Sequence, residues 1–157
     1  MGKTKSRHNP FLRILFLLYC GGMLYLLFFG SRQAASGDYW ALVKQNYNLQ
    51  PFYTIRNYLR VLFYSNSAYL VRHCYINLAG NLLLFIPGGL FLPLLWSSWR
   101  KFWRFLFGCL LVLLCIETTQ LFTLLGSFDI DDIILNLLGL SIGYALYVLT
   151  HRRRKRK

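Results

Sequence analysis

Four long apolar runs dominate this chain, at residues 11–30, 75–96, 102–125 and 130–149, and charges gather between them. Each run is close to the ~20 residues that cross a hydrocarbon core of about 30 Å. In lipid a segment must satisfy its own backbone hydrogen bonds, so each run reads as a helix. The expected fold class is an all-α integral membrane protein with four transmembrane helices. Residues are 56% hydrophobic and 18% aromatic, beyond the roughly 45–50% apolar content of a soluble domain. This excludes a soluble enzyme domain, a disordered basic tail protein and a histone-like nucleic-acid binder. The 157 residues leave room for one membrane domain and no separate soluble one.

The placement of cations orients the spans. With both termini cytoplasmic, the inner side holds 13 of the 18 Lys and Arg residues, including Lys3, Lys5, Arg7, Arg100, Lys101 and the tail from Arg152 to Lys157. The outer side holds 5, namely Arg32, Lys44, Arg56, Arg60 and Arg72. This is the positive-inside bias of an even number of spans. The tail at 150–157 suits a stop-transfer flank bound to anionic lipid better than a nuclear-localisation or nucleic-acid patch. The first run has a basic leader, but Gln33-Ala34-Ala35-Ser36 is a poor cleavage site, so it is read as a retained span. Cys20, Cys74, Cys109 and Cys115 show no ligand spacing and read as small apolar residues.

Residues 31–74 form the long outer loop. Phe52, Ile55, Leu59, Leu62 and Phe63 recur there at helical spacing, with Arg56 and Arg60 four apart and Pro51 at the expected first turn. The pattern predicts an amphipathic helix lying at the outer interface, with Tyr53, Tyr58 and Tyr64 in the headgroup zone. Arg56, Arg60 and Arg72 are candidate phosphate contacts. The plainer reading of these arginines is simple solvation.

The polar residues in and beside the spans carry most information. Asn77 and Asn81 share one face of the second run, before Pro87-Gly88-Gly89 and Pro93, where a kink or break is expected. Glu117 and Gln120 share a face of the third run. Asp129, Asp131, Asp132 and Asn136 open the fourth, and Asp132, Asn136, Gly139 and Gly143 fall on one stripe. Topology brings these outer halves together, so four of the chain's five acids lie in one layer. A carboxylate inside a bilayer costs at least ~2.5 kcal/mol on insertion scales and should face the bundle interior with a partner. The expectation is an acidic, amide-lined pocket open to the outside, formed by Asn77, Asn81, Glu117, Gln120, Asp129, Asp131, Asp132 and Asn136.

Three kinds of chemistry fit these residues. Glu117 is the candidate acid or base. Asp131 and Asp132 are candidate ligands for a divalent cation bridging to a pyrophosphate-bearing lipid. Binding without catalysis is the third, since amides and carboxylates hydrogen-bond sugars and peptides well. Structural alternatives stand beside each: Asn77 and Asn81 as interhelical hydrogen bonds, Gly139-x-x-x-Gly143 as a close-packing face within or between chains.

Taken together, Asn77-Leu-Ala-Gly-Asn81 with Phe85-Ile-Pro87-Gly88, Glu117-Thr-Thr-Gln120, and Phe128-Asp129-Ile-Asp131-Asp132 with Asn136 and Gly139 resemble the VanZ-like membrane protein family. The stretch Asn48-Leu49-Gln50-Pro51-Phe52 resembles that family's Asn-Leu-x-Pro-Phe segment. The resemblance covers about residues 46–148. It implies a multi-pass protein of the bacterial cytoplasmic membrane that lowers susceptibility to the glycopeptide teicoplanin, with membrane lipids and a lipid-linked wall precursor or lipoglycopeptide as partners. Alternatives are a membrane-embedded enzyme acting on a phospho- or glycolipid, or a small proton-coupled transporter. Family members often carry an Arg just before the Asp-x-Asp-Asp segment, where this chain has Leu125-Gly126-Ser127. The acids then need another neutralising group, with Arg56 and Arg72 the candidates.

Overall fold

The computed structural model describes residues 10–29 and 37–154. Its long helices are α1 (Pro10–Phe29), α4 (Ala68–Leu95), α5 (Phe102–Thr123) and α6 (Ile130–Arg154). All four are long and apolar enough to cross a membrane. The connection between α1 and α4 holds α2 (Tyr39–Gln45), β1 (Tyr47–Asn48) and α3 (Tyr53–Tyr64), and β2 (Phe128–Asp129) precedes α6. The basic leader, the Gln33–Ser36 segment and the last three residues of the tail lie outside the described residues.

Several expected boundaries shift. The second span begins at Ala68 rather than 75, because Ser67 caps it by accepting from the Leu70 N–H at 3.5 Å. With 28 residues, α4 is about 42 Å long at 1.5 Å per residue, longer than a core of about 30 Å. Its first turns, with Arg72 and His73, therefore extend beyond the apolar run. Of the kink or break expected near Pro87, the break does not occur, since α4 continues through both Pro87 and Pro93. The third span ends at Thr123, where Leu124 turns left-handed at φ 54. Pro51 sits in a turn before α3 rather than in its first turn, with the Tyr53 N–H donating to the Gln50 carbonyl at 3.3 Å.

The core is the pairing of α4 with α6, which run parallel. A Cβ on Gly89 would lie 2.0 Å from the Leu140 carbonyl oxygen, one on Gly143 2.0 Å from that of Ile86, and one on Gly139 2.2 Å from that of Leu82. Glycine is required here because two backbones touch. The Gly139-x-x-x-Gly143 face therefore packs within one chain. α5 joins through Phe105, Cys109 and Leu113, all buried against Ile133, Leu140 and Tyr144. α1 is the outlying helix, and its contacts include ring packing of Phe16 and Tyr19 on Phe91 and two side-chain hydrogen bonds. The Tyr19 hydroxyl donates to the Leu84 carbonyl at 2.8 Å, and Gln120 Nε2 donates to the Leu27 carbonyl at 2.8 Å. Leu27 belongs to the last turn of α1, whose carbonyls have no partner within the helix.

Candidate functional site

The site forms at one end of the bundle, where α5 finishes, α4 and α6 begin, and the 37–67 connection folds back. This connection is fastened in register. β1 and β2 pair as parallel strands, Tyr47 opposite Phe128 and Asn48 opposite Asp129, and the Phe128 N–H donates to the Asn46 carbonyl at 2.9 Å. Asn46 Nδ2 donates to the Gly126 carbonyl at 3.2 Å. Asp38 caps α2 by accepting from the Ala41 N–H at 2.9 Å, and Tyr39 at its start donates to the Phe122 carbonyl at 2.8 Å.

Beneath this pairing lie the acids. Asp131 is fully buried. One of its oxygens accepts from the Phe52 N–H at 2.5 Å, the other from the Ile55 N–H at 3.0 Å. Phe52 is the N-cap of α3, left-handed at φ 63 and with no side-chain cap of its own. Asp131 thus caps α3 from another helix, while standing in the first turn of α6. A carboxylate at two helix N-termini meets two sets of unpaired N–H groups and two favourable dipole ends. Asp129 is as fully engaged. Its Oδ1 accepts from Asn48 Nδ2 at 3.3 Å and the Asp131 N–H at 2.9 Å, and its Oδ2 from the Thr54 hydroxyl at 2.6 Å. The Asp129 N–H in turn donates to Glu117 Oε2 at 3.2 Å.

The eight expected pocket residues therefore separate into roles. Glu117, Asp129 and Asp131 form one hydrogen-bonded hub, all of them buried. Asp132 lies beside it and accepts from Asn81 Nδ2 across the α4–α6 contact. Gln120 faces the other way and clamps α1. Asn77 donates to the His73 carbonyl of its own helix at 2.9 Å and does not join the hub. Asn136, one turn beyond Asp132, is only 1% exposed, and its Oδ1 has no hydrogen-bond partner.

Arg56, Arg60 and Arg72 are exposed. Among the described residues the donors to Asp129 and Asp131 are backbone amides, the Asn48 side chain and the Thr54 hydroxyl, so uncharged donors stand where Arg56 or Arg72 was expected. The candidate cation pair is divided between two tasks, Asp131 with the α3 amides and Asp132 with Asn81. Both Asp131 oxygens already accept amide protons. Among the described residues no group of three or more His, Cys, Asp or Glu is arranged to hold an ion.

Sequence reasoning missed Asn48, Thr54 and Tyr58 as part of this site. Asn48 opens the Asn-Leu-x-Pro-Phe stretch and Thr54 follows its Phe52 by two residues, so that stretch is the available signal. Tyr58 is half-buried with its ring edge-on to His73, centroids 6.3 Å apart. Burial pushes its hydroxyl above the usual tyrosine range, and the negative charges of Asp132 and Asp129 add to this.

A cavity of about 320 Å³ lies on the far side of Gln120, between α1 and the other long helices. It is lined by apolar residues, and none of the eight polar candidates contributes to it.

No curated protein and no solved structure matches the chain. The VanZ/LLP1 family model matches residues 16–151, most of the chain and every element of the site just described. This four-span membrane protein, with its acids gathered under a folded loop, belongs to the VanZ/LLP1 family.

Proposed function

We propose that this protein works in the bacterial cytoplasmic membrane with both termini inside, lowering susceptibility to teicoplanin by engaging a lipid-linked wall precursor or a lipoglycopeptide at its outer end. What supports the reading is the way Asp129 and Asp131 hold the loop. Their hydrogen bonds to Asn48, Phe52, Thr54 and Ile55 fasten β1 and α3 over the bundle. α3 then exposes Tyr53, Arg56, Leu59, Arg60, Phe63 and Tyr64. A cationic and aromatic face at the outer interface suits an anionic headgroup carrying sugar and peptide. The partly committed polar groups below it, Glu117, Asp132 and Asn136, supply acceptors.

A second reading, a membrane-embedded enzyme acting on a phospho- or glycolipid, is favoured by one observation. Glu117 is 2% exposed and accepts from the Asp129 amide, and the buried Asn136 Oδ1 is unpartnered, so polar capacity remains for a substrate.

The test is the minimum inhibitory concentration of teicoplanin, with vancomycin as control. A sensitive Gram-positive host would carry wild type, Glu117→Gln or Asp132→Asn at matched membrane levels. The expected result is resistance to teicoplanin from wild type and its loss in both variants. No resistance from well-expressed wild type would remove the antibiotic reading.

A further inference from the structure

We propose that the cavity between α1 and α5 is a side-entry slot for one hydrocarbon chain of a membrane lipid. This goes beyond the reading of the polar end and does not depend on it. Leu24 of α1 and Val112 of α5 both line the cavity, yet are 53% and 54% exposed. They are therefore the lips of a lateral mouth, and in a membrane-spanning bundle that mouth faces acyl chains. α1 packs chiefly on α4, which leaves its α5 side apart. The two ends are closed. At one, Gln120 binds the carbonyl of Leu27, itself a lining residue. At the other, Phe16 stacks edge-on to Trp96 at 5.2 Å, and Trp99 to Phe105 at 6.4 Å.

The walls select the occupant. They are apolar, and the Tyr19 hydroxyl at the edge already donates to Leu84. A water there would lack the two to four polar partners it needs. A void of this size without a filler would cost stability in proportion to its volume, and the molecules available at this depth are lipid chains. From Phe16 to Leu27 the cavity runs about 16 Å at 1.5 Å per residue. That is about half of a ~30 Å hydrocarbon core, the reach of one chain from one leaflet.

The test uses the full chain in phosphatidylglycerol nanodiscs, with Trp99 kept as the only tryptophan (Trp40, Trp96 and Trp103 changed to Phe). Chain-dibrominated phosphatidylglycerol is added in steps and tryptophan emission is read. The comparison keeps only Trp103, which is 67% exposed and does not line the cavity. The expected result is loss of Trp99 emission to a plateau at low brominated fraction, while Trp103 dims only in proportion to that fraction. Leu24→Phe with Val112→Phe, which plugs the mouth, abolishes the Trp99 plateau and leaves the Trp103 response unchanged. Proportional or absent quenching of Trp99, or a plateau that survives the plug, overturns the proposal. Native mass spectrometry of the wild type in detergent gives a check that needs no variant. A monomer retaining phospholipid supports the slot, and a lipid-free dimer assigns the mouth to a second copy and overturns it.

Discussion

Asp131 illustrates how a carboxylate can be buried in a membrane bundle by accepting from backbone amides. Its two oxygens meet the amides of Phe52 and Ile55, and its own N–H donates to Asp129. A hydrogen bond to a charged group contributes roughly 1.5–3 kcal/mol, and leaving a buried donor unmatched costs more than the bond alone. Asp131→Asn keeps one acceptor but turns an NH2 toward an amide donor. The expected effect is a loss of about 2–4 kcal/mol, concentrated in the loop. Limited proteolysis of membranes should then cut within residues 37–67, which wild type resists. Asp132→Asn differs, because a side-chain carbonyl still accepts from Asn81. It should leave the proteolytic pattern unchanged, so its effect on resistance can be read as an effect on the site.

Among the elements, the α4–α6 pair is the one that tolerates least. Gly89, Gly139 and Gly143 each bring backbone against backbone, and the nearest atom to any added Cβ is a carbonyl oxygen. Carbonyls held in a helix cannot swing aside as a flexible side chain can. Gly143→Val should therefore separate α4 from α6, break the Asn81–Asp132 contact one end along, and prevent accumulation of folded protein. Gly22→Ala, where nothing lies within 4 Å of the new methyl, should accumulate like wild type. Fluorescence-detected size exclusion of tagged protein compares the two. Equal monodisperse peaks would show that the close crossing is not what holds these helices.

For the whole molecule, the spans were readable because lipid leaves a chain no alternative to helices, and four runs of sufficient length leave little choice of architecture. The stripe of Asp132, Asn136, Gly139 and Gly143 was readable for a similar reason, since helical spacing alone places it on one face, and that face meets α4. The loop was not readable to the same degree. Its decisive contacts join Asn48 to Asp129 and Phe52 to Asp131, 81 and 79 residues apart, and two-residue strands carry no periodicity. An acid cluster in a sequence suggests an open polar pocket, whereas here much of its hydrogen-bonding capacity is spent on the amides of the folded connection. The slot beside α1 was hidden for another reason. It depends on how far α1 stands from α5, which no residue pattern in either helix specifies.

If the acids hold the 37–67 connection against the start of α6, the β1–β2 pairing reports it directly. Strand neighbours lie about 4.8 Å apart, inside the Cα separation of about 4.4–6.8 Å that a disulfide spans. Tyr47→Cys with Phe128→Cys, in a chain whose four native cysteines are changed to Ala, should cross-link in membranes on mild oxidation. The link should form rapidly and within single chains, and adding Asp131→Asn should slow it markedly. Rapid linkage that is indifferent to Asp131, or no linkage in protein that is otherwise folded, would show that the acids do not hold the connection in place.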